Sequence, residues 1–170
     1  MVTLISDLSQ IIKELSIKNE GVAAIPTDTI YGLSCLPTEV AVQKLLILKG
    51  RPIEKGLILM AHRLDFLLKW IDLTLVTKEQ LRLLESRQDK RPTTYVVPAH
   101  NTVSKTLTGG RNTIAIRVAV GAPEVSEICE SLKSCIVTSS ANYFQSETLF
   151  DPKEINACFS DKILVYDHAD

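Results

Sequence analysis

Lys49-Gly50-Arg51-Pro52-Ile53-Glu54-Lys55-Gly56-Leu57-Ile58-Leu59-Met60 joins the end of a helical pattern to an apolar run that reads as a strand. Upstream, Thr38 caps a helix whose inner face carries Val42, Leu45 and Leu46, and this helix delivers the Lys49–Lys55 turn at its C-terminal end. Gly50 and Pro52 lie between the cations, Pro52 stiffening the turn, and Leu57–Met60 follows as a short buried strand. Three cations on a stiff turn beside a strand make a phosphate clamp conceivable, because the Arg fork matches phosphate bidentately. On its own, such a cluster reads more simply as a solvated basic turn.

The same alternation of helix and strand continues on both sides. Leu8, Ile11, Ile12 and Leu15 share one helix face over 7–19, with Ser6 or Asp7 as cap and Gly21 as stop. Val22–Ile25 predicts a short strand, and 26–37 a loop rich in small and polar groups. Helices are expected at about 63–71 and 77–86, the second with a Thr77/Gln80 capping box. Strands are expected at Thr93–Val97 and Thr113–Val118, with Ile114, Ile116 and Val118 on one face and Ala115 and Arg117 on the other. Pro123 opens a further helix, Cys135–Thr138 forms a strand running into the polar loop Ser139–Asn142, Asp151-Pro152 starts a short helix, and Ile163–Tyr166 forms a last strand. This mingling indicates an α/β fold with a mixed sheet, in a single domain over residues 1–170.

The bulk numbers narrow the chemistry. With 45% hydrophobic and 23% charged residues, the composition is that of a globular protein with a real core. A net charge of −1 supplies no global field to attract nucleic acid, so any anion site must be local. Cys35, Cys129, Cys135 and Cys158 lack metal-ligand spacing, and with His62, His100 and His168 scattered no metal site is expected. Met1–Asp7 has no basic n-region, and no apolar run is long enough to span a bilayer, so a cytoplasmic protein with no membrane association is expected. Phosphate-loop, dinucleotide and nucleophile-elbow motifs are missing. Three polar loops remain as site candidates, Pro26–Ser34, Lys49–Lys55 and Thr138–Asn142, and Arg117 adds a cation on the strand face opposite its apolar stripe, where it reads equally as an exposed edge-strand residue. Taken singly, Thr27, Thr29, Ser139, Ser140 and Asn142 read as turn or cap residues, and Asp28 as an Asx-turn residue, an acid or a metal ligand.

Taken together these loops resemble a known family. Pro26-Thr27-Asp28-Thr29-Ile30-Tyr31-Gly32-Leu33 is similar to the Pro-Thr-(Glu/Asp)-Thr-x-Tyr-Gly-Leu signature of the YrdC-like threonylcarbamoyl-AMP synthases. Lys49-Gly50-Arg51-Pro52 with Lys55 resembles the family's Lys-x-Arg-Pro turn, Ala115-Ile116-Arg117 its Ala-Val-Arg strand, and Ser140-Ala141-Asn142 its Ser-Ala-Asn loop. Order and spacing agree over roughly residues 5–145. The resemblance implies an open twisted mixed sheet around a concave basic cavity. It implies a nucleotidyltransferase that joins L-threonine, bicarbonate and ATP, with Mg2+ on the ATP phosphates, and releases pyrophosphate. The product would pass to a downstream tRNA-modifying transferase complex for threonylcarbamoyladenosine formation. An RNA-binding module, or an inactive relative that keeps nucleotide binding, is the alternative.

Carried over residue by residue, the resemblance assigns Lys49 and Arg51 as catalytic, and Lys49, Arg51, Lys55, Thr94, Ser140 and Asn142 to ATP. It assigns Thr27, Tyr31 and Arg117 to threonine. The chain departs from the family pattern in three places. Lys90-Arg91-Pro92-Thr93-Thr94 stands where the family has Gly-Pro-x-Thr, and Tyr143-Phe144-Gln145-Ser146 follows Asn142 where a Ser-Gly pair is usual. The family's later Pro-Ser-Thr-Ile-like strand and its Arg have no counterpart before Asp170, which implies a more open site, completion by a partner, or lost activity.

Overall fold

Every element of the fold serves one mixed sheet. The structure, a computed structural model, describes residues 3–86, 91–160 and 162–168. Strand β1 (Leu4–Ile5) leads into helix α1 (Leu8–Ser16), where the Asp7 carboxylate accepts the Ser9 backbone N–H at 2.9 Å. Leu8, Ile11 and Leu15 are its buried stripe, and a 3₁₀ turn over Ile17–Asn19 follows before Gly21. Strands β2 (Val22–Pro26) and β3 (Tyr31–Cys35) form an antiparallel hairpin. Helix α2 (Glu39–Lys49) starts on the Thr38 hydroxyl and stops at Gly50. A 3₁₀ turn (Ile53–Lys55) then feeds β4 (Ile58–Ala61).

After β4 come α3 (Lys78–Glu85), β5 (Tyr95–Pro98), α4 (Lys105–Thr108) and β6 (Thr113–Val118). Helix α5 (Pro123–Leu132), β7 (Ile136–Ser140), α6 (Pro152–Phe159) and β8 (Leu164–Tyr166) complete the order. Among the described residues the strands run β1-β8-β2-β3-β7-β4-β6-β5. The centre, β2-β3-β7-β4, is antiparallel, while β1-β8-β2 and β4-β6 are parallel.

Sheet register decides which residues face the core and which face outward. Ser34, Thr138, Ile58, Ala115 and Val96 lie in one row across five strands, and residues two positions away share their face. Leu33, Val137, Leu59, Ile114 and Ile116 point the opposite way and are almost wholly buried. At about 1.5–3 kcal/mol for each fully buried large aliphatic chain, this packed face specifies the register. The alternation expected of Thr113–Val118 is observed: Ile114 and Ile116 are in the core and Arg117 is on the other face.

Several expectations are corrected. The 26–37 segment is not a loop throughout: only Thr27–Ile30 turns, and Tyr31–Cys35 is a central strand. Its small residues are demanded by packing, since a Cβ on Gly32 would sit 2.1 Å from Thr138 Oγ1. Ser139 and Ser140 belong to β7 and not to a loop. The helix expected at 63–71 is a pair of 3₁₀ turns, Leu64–Phe66 and Leu68–Trp70. The Thr77/Gln80 capping box is formed as expected. Lys90, at the start of the Thr94 motif, lies outside the described residues.

Candidate functional site

A concave cavity of about 560 Å³ opens over the face of the sheet that carries Thr138 and Arg117. Its floor carries Thr138, Ile58 and Ala115 from the register row, with Met60, Ser140 and Arg117 alongside. The β2–β3 turn overhangs one side and the turns around Gly56 and Gly109 form the other.

That second side is cationic. Arg51, Lys55 and Arg111 all line it, and Lys55 and Arg111 are exposed. The wall exists because α4 docks against the Ile53–Lys55 turn, with Leu57 N–H donating to Leu107 O at 3.1 Å. Gly109 makes this docking feasible. Its φ of 69° is left-handed, and a Cβ there would lie 2.7 Å from Glu54 O and 2.9 Å from Gly56 N. Arg51 directs Nε and Nη2 to one acceptor, Gly56 O, at 3.1 and 3.0 Å. Its guanidinium carbon stands 5.8 Å from the Phe144 ring centroid. Burial holds the Arg51 pKa below its ordinary value.

Lys49 stands behind this wall. It is 2% exposed and absent from the cavity lining. Its Nζ donates to Ser140 O at 2.6 Å, Asn142 O at 2.8 Å and Asn142 Oδ1 at 3.0 Å. Its own carbonyl accepts the Phe144 N–H at 2.8 Å. The lysine therefore fastens the end of α2 to the end of β7. Burial first, and the Arg51 charge second, lower its pKa to about 8. Asn142 is buried as well: Oδ1 also accepts from Ser140 Oγ at 2.7 Å, and Nδ2 donates to Ser146 O at 2.7 Å.

Across the cavity, Arg117 meets the β2–β3 turn. Nε donates to Thr94 Oγ1 at 2.9 Å, and Nη1 reaches Asp28 Oδ1 at 3.3 Å and Thr29 Oγ1 at 3.4 Å. The side chains of Arg117 and Asp28 are 17% and 2% exposed, so this ion pair is an inner one. The readings open for Asp28 in the sequence, an Asx-turn residue, an acid or a metal ligand, do not include the role the geometry displays, ion-pair partner of Arg117. Thr27 closes the turn, its hydroxyl donating to Ile30 O at 2.6 Å. Tyr31 lines the cavity while its hydroxyl donates to Tyr166 O at 2.8 Å, and burial raises its pKa to about 12.

Of the sequence-predicted site residues, Thr27, Tyr31, Arg51, Lys55, Arg117 and Ser140 line the cavity, whereas Lys49, Asn142 and Thr94 do not. Lys49 and Asn142 are turned toward each other, and Thr94 reaches the cavity through Arg117. Sequence reading missed Arg111. Its signal was a cation directly after Gly109-Gly110 and before a strand, but only the docking of Gly109 on the Gly56 turn brings it beside Arg51 and Lys55. Among the described residues no group of three His, Cys, Asp or Glu is placed to hold a metal ion, and no helix is long and apolar enough to cross a membrane.

Comparison with known proteins agrees with this architecture. The Sua5/YciO/YrdC family model, described as "Telomere recombination", matches residues 16–170. A threonylcarbamoyl-AMP synthase of Mannheimia succiniciproducens is 45% identical over 137 residues, 80% of this chain and 73% of that protein. One from Psychromonas ingrahamii is 36% identical over 161 residues, 94% of this chain and 82% of that protein. The crystal structure of P. abyssi Sua5 complexed with L-threonine superposes with a TM-score of 0.83 at 24% identity, over 96% of this chain and 47% of that one. This chain thus spans about half the length of that structure and shares its fold.

Proposed function

The chain belongs to the Sua5/YciO/YrdC family, and from that membership we propose that it is an L-threonylcarbamoyl-AMP synthase. It joins L-threonine, bicarbonate and ATP into threonylcarbamoyl-adenylate and pyrophosphate, and the product serves threonylcarbamoyladenosine formation in tRNA by a downstream transferase complex. The observation that carries this reading is that four cations line one cavity: Arg51, Lys55 and Arg111, together with Arg117 in its ion pair with Asp28.

The chemistry asks for cations around the reacting groups. The threonine amine adds to bicarbonate carbon with loss of water, giving a carbamate. A carbamate oxygen then attacks the α-phosphorus, and the bond from the α-phosphorus to the bridging oxygen breaks to release pyrophosphate. Nucleophile and electrophile are both anions, so the residues must neutralise charge and align the two groups. In this reading Arg51, Lys55 and Arg111 take the phosphates, each charge-assisted contact contributing about 1.5–3 kcal/mol. Arg117, with Thr27 and Tyr31, receives threonine, and Ser140 presents its hydroxyl at the floor between them. Lys49 and Asn142 act from behind, by holding Ser140. Among the described residues, those that line the cavity include no carboxylate, so Mg2+ would be held chiefly by the phosphate oxygens.

The test is pyrophosphate release from ATP by the folded protein with magnesium. Release that requires both threonine and bicarbonate, and that falls sharply in Arg51→Ala and Arg111→Ala, is expected. Release independent of threonine, or none at all, removes this reading. Tight, salt-sensitive RNA binding without turnover would replace it with a binding module.

A further inference from the structure

Phe144 stands in the segment after Asn142 where a Ser-Gly pair had been expected, and the structure gives each neighbouring residue there a task. The Tyr143 ring packs on Phe159 of α6 with centroids 4.7 Å apart. Asn142 closes on Ser146 O and on Lys49 Nζ. The Phe144 backbone N–H is fixed on Lys49 O at 2.8 Å. With the main chain held at these points, the half-buried Phe144 ring lies against the Arg51 guanidinium, 5.8 Å from ring centroid to guanidinium carbon.

Arg51 is thereby held twice. Gly56 O takes Nε and Nη2 along one edge, and the Phe144 ring stands within cation–π distance on another side. Among the described residues no hydrogen bond engages Nη1, so the fork keeps donors for an anion in the cavity it lines. A guanidinium in a shallow cavity has many rotamers, and fixing one before the ligand arrives removes an ordering cost from binding. The aromatic quadrupole attracts the cation, which an aliphatic chain of similar size does not do.

We propose that Phe144 is a positioning residue: it orients the Arg51 fork toward the phosphates of the nucleotide and acts through Arg51 without touching the ligand. This rests on the reading of the cavity as a nucleotide site. The assignment needs an aromatic ring at this position of the loop.

Two measurements separate the parts. In the ligand-free protein, the Arg51 Nε–H resonance, identified by its loss in Arg51→Lys, is followed by ¹⁵N NMR. It should be shifted by the ring current and slow to exchange in wild type and in Phe144→Tyr, and lose both properties in Phe144→Leu. Calorimetric titration with Mg-ATP should then show roughly two- to fivefold weaker binding for Phe144→Leu, with Phe144→Tyr near wild type, and no further loss when Phe144→Leu is added to Arg51→Lys. Thermal unfolding confirms that the variants remain folded. If the Arg51 resonance is the same in Phe144→Leu as in wild type, the positioning role is overturned whatever ATP does. If that resonance responds but wild type binds no ATP, Phe144 still orients Arg51 and it is the nucleotide reading that fails.

Discussion

The Lys49 ammonium nitrogen and the Asn142 carbonyl oxygen lie 2.8 Å apart, although 93 positions separate them in the chain. With two further acceptors on the same ammonium, this contact makes Lys49 the fastening between the Arg51 turn and the Ser140 end of β7. Lys49→Met keeps the apolar stem and removes three donors from buried oxygens. Unsatisfied buried acceptors cost about 1–3 kcal/mol each, partly offset because no ammonium need be desolvated. Urea denaturation should show a net loss of roughly 2–3 kcal/mol. Pyrophosphate release should fall further, on the order of a hundredfold, as expected when catalytic groups drift by about an ångström. Wild-type stability together with wild-type turnover would remove Lys49 from this role.

Burial brings the Lys49 pKa down to about 8 from its ordinary 10.5. Above about pH 8 the amine keeps two N–H groups and turns a lone pair on a carbonyl, so the fastening loosens and activity should decline with a midpoint near 8. Stability moves the other way. Between about 8 and 10.5 the folded protein has released this proton while the unfolded chain still binds it, so this group's contribution to stability rises with pH across that window and is lost as pH falls back through 8. Turnover and denaturant midpoint measured from pH 7 to 10 in wild type and Lys49→Met should show the opposed trends, with the Lys49-dependent limb missing from the variant. An alkaline limb that persists in Lys49→Met would assign it elsewhere.

The Arg117–Asp28 pair makes a prediction with a built-in control. Asp28 is 2% exposed at its side chain, so Arg117→Ala leaves a buried carboxylate without its cation and should cost about 3–5 kcal/mol. The double variant Arg117→Ala/Asp28→Ala should regain a good part of that loss, while threonine-dependent turnover stays low in both. A double variant no more stable than Arg117→Ala would mean that the carboxylate is not what suffers.

Gly32 tests the packing of the hairpin on β7. A methyl group there would meet Thr138 Oγ1 at 2.1 Å, so Gly32→Ala should destabilise by about 1–3 kcal/mol through overpacking. Thr138→Ala removes the obstructing hydroxyl and its Ser34 contact, and the pair together should recover most of the loss measured by thermal unfolding. If the two effects simply add, Gly32 is constrained by something other than Thr138.

Legibility in the sequence followed how local each signal was. The α2 helix was readable because its cap, its apolar spacing and its closing glycine are all near neighbours. The inward and outward faces of β6 were readable because alternation is a local pattern. The β3 strand was not, because Gly32 and Ser34 are poor strand formers and fit only because Thr138 crowds them from a strand a hundred residues away. Likewise the Lys49–Lys55 cations were conspicuous, but nothing local distinguished the buried Lys49 from the exposed Lys55. That difference is set by where β7 ends. Arg111 was invisible as a site residue for the same reason, since its neighbours are chosen by the approach of Gly109 to the Gly56 turn.

The strand order has a consequence for how the molecule is made. β8 lies between β1 and β2, so a segment near residue 165 is inserted between two that are synthesised well before it. Until it arrives, the growing chain carries β1 with no sheet partner and the β2–β3 hairpin with an open apolar edge, the kind of edge through which nascent chains associate. Closure of this part of the sheet therefore waits on pairings of very long sequence separation. The pairing that shields this edge from aggregation is thus one that forms slowly.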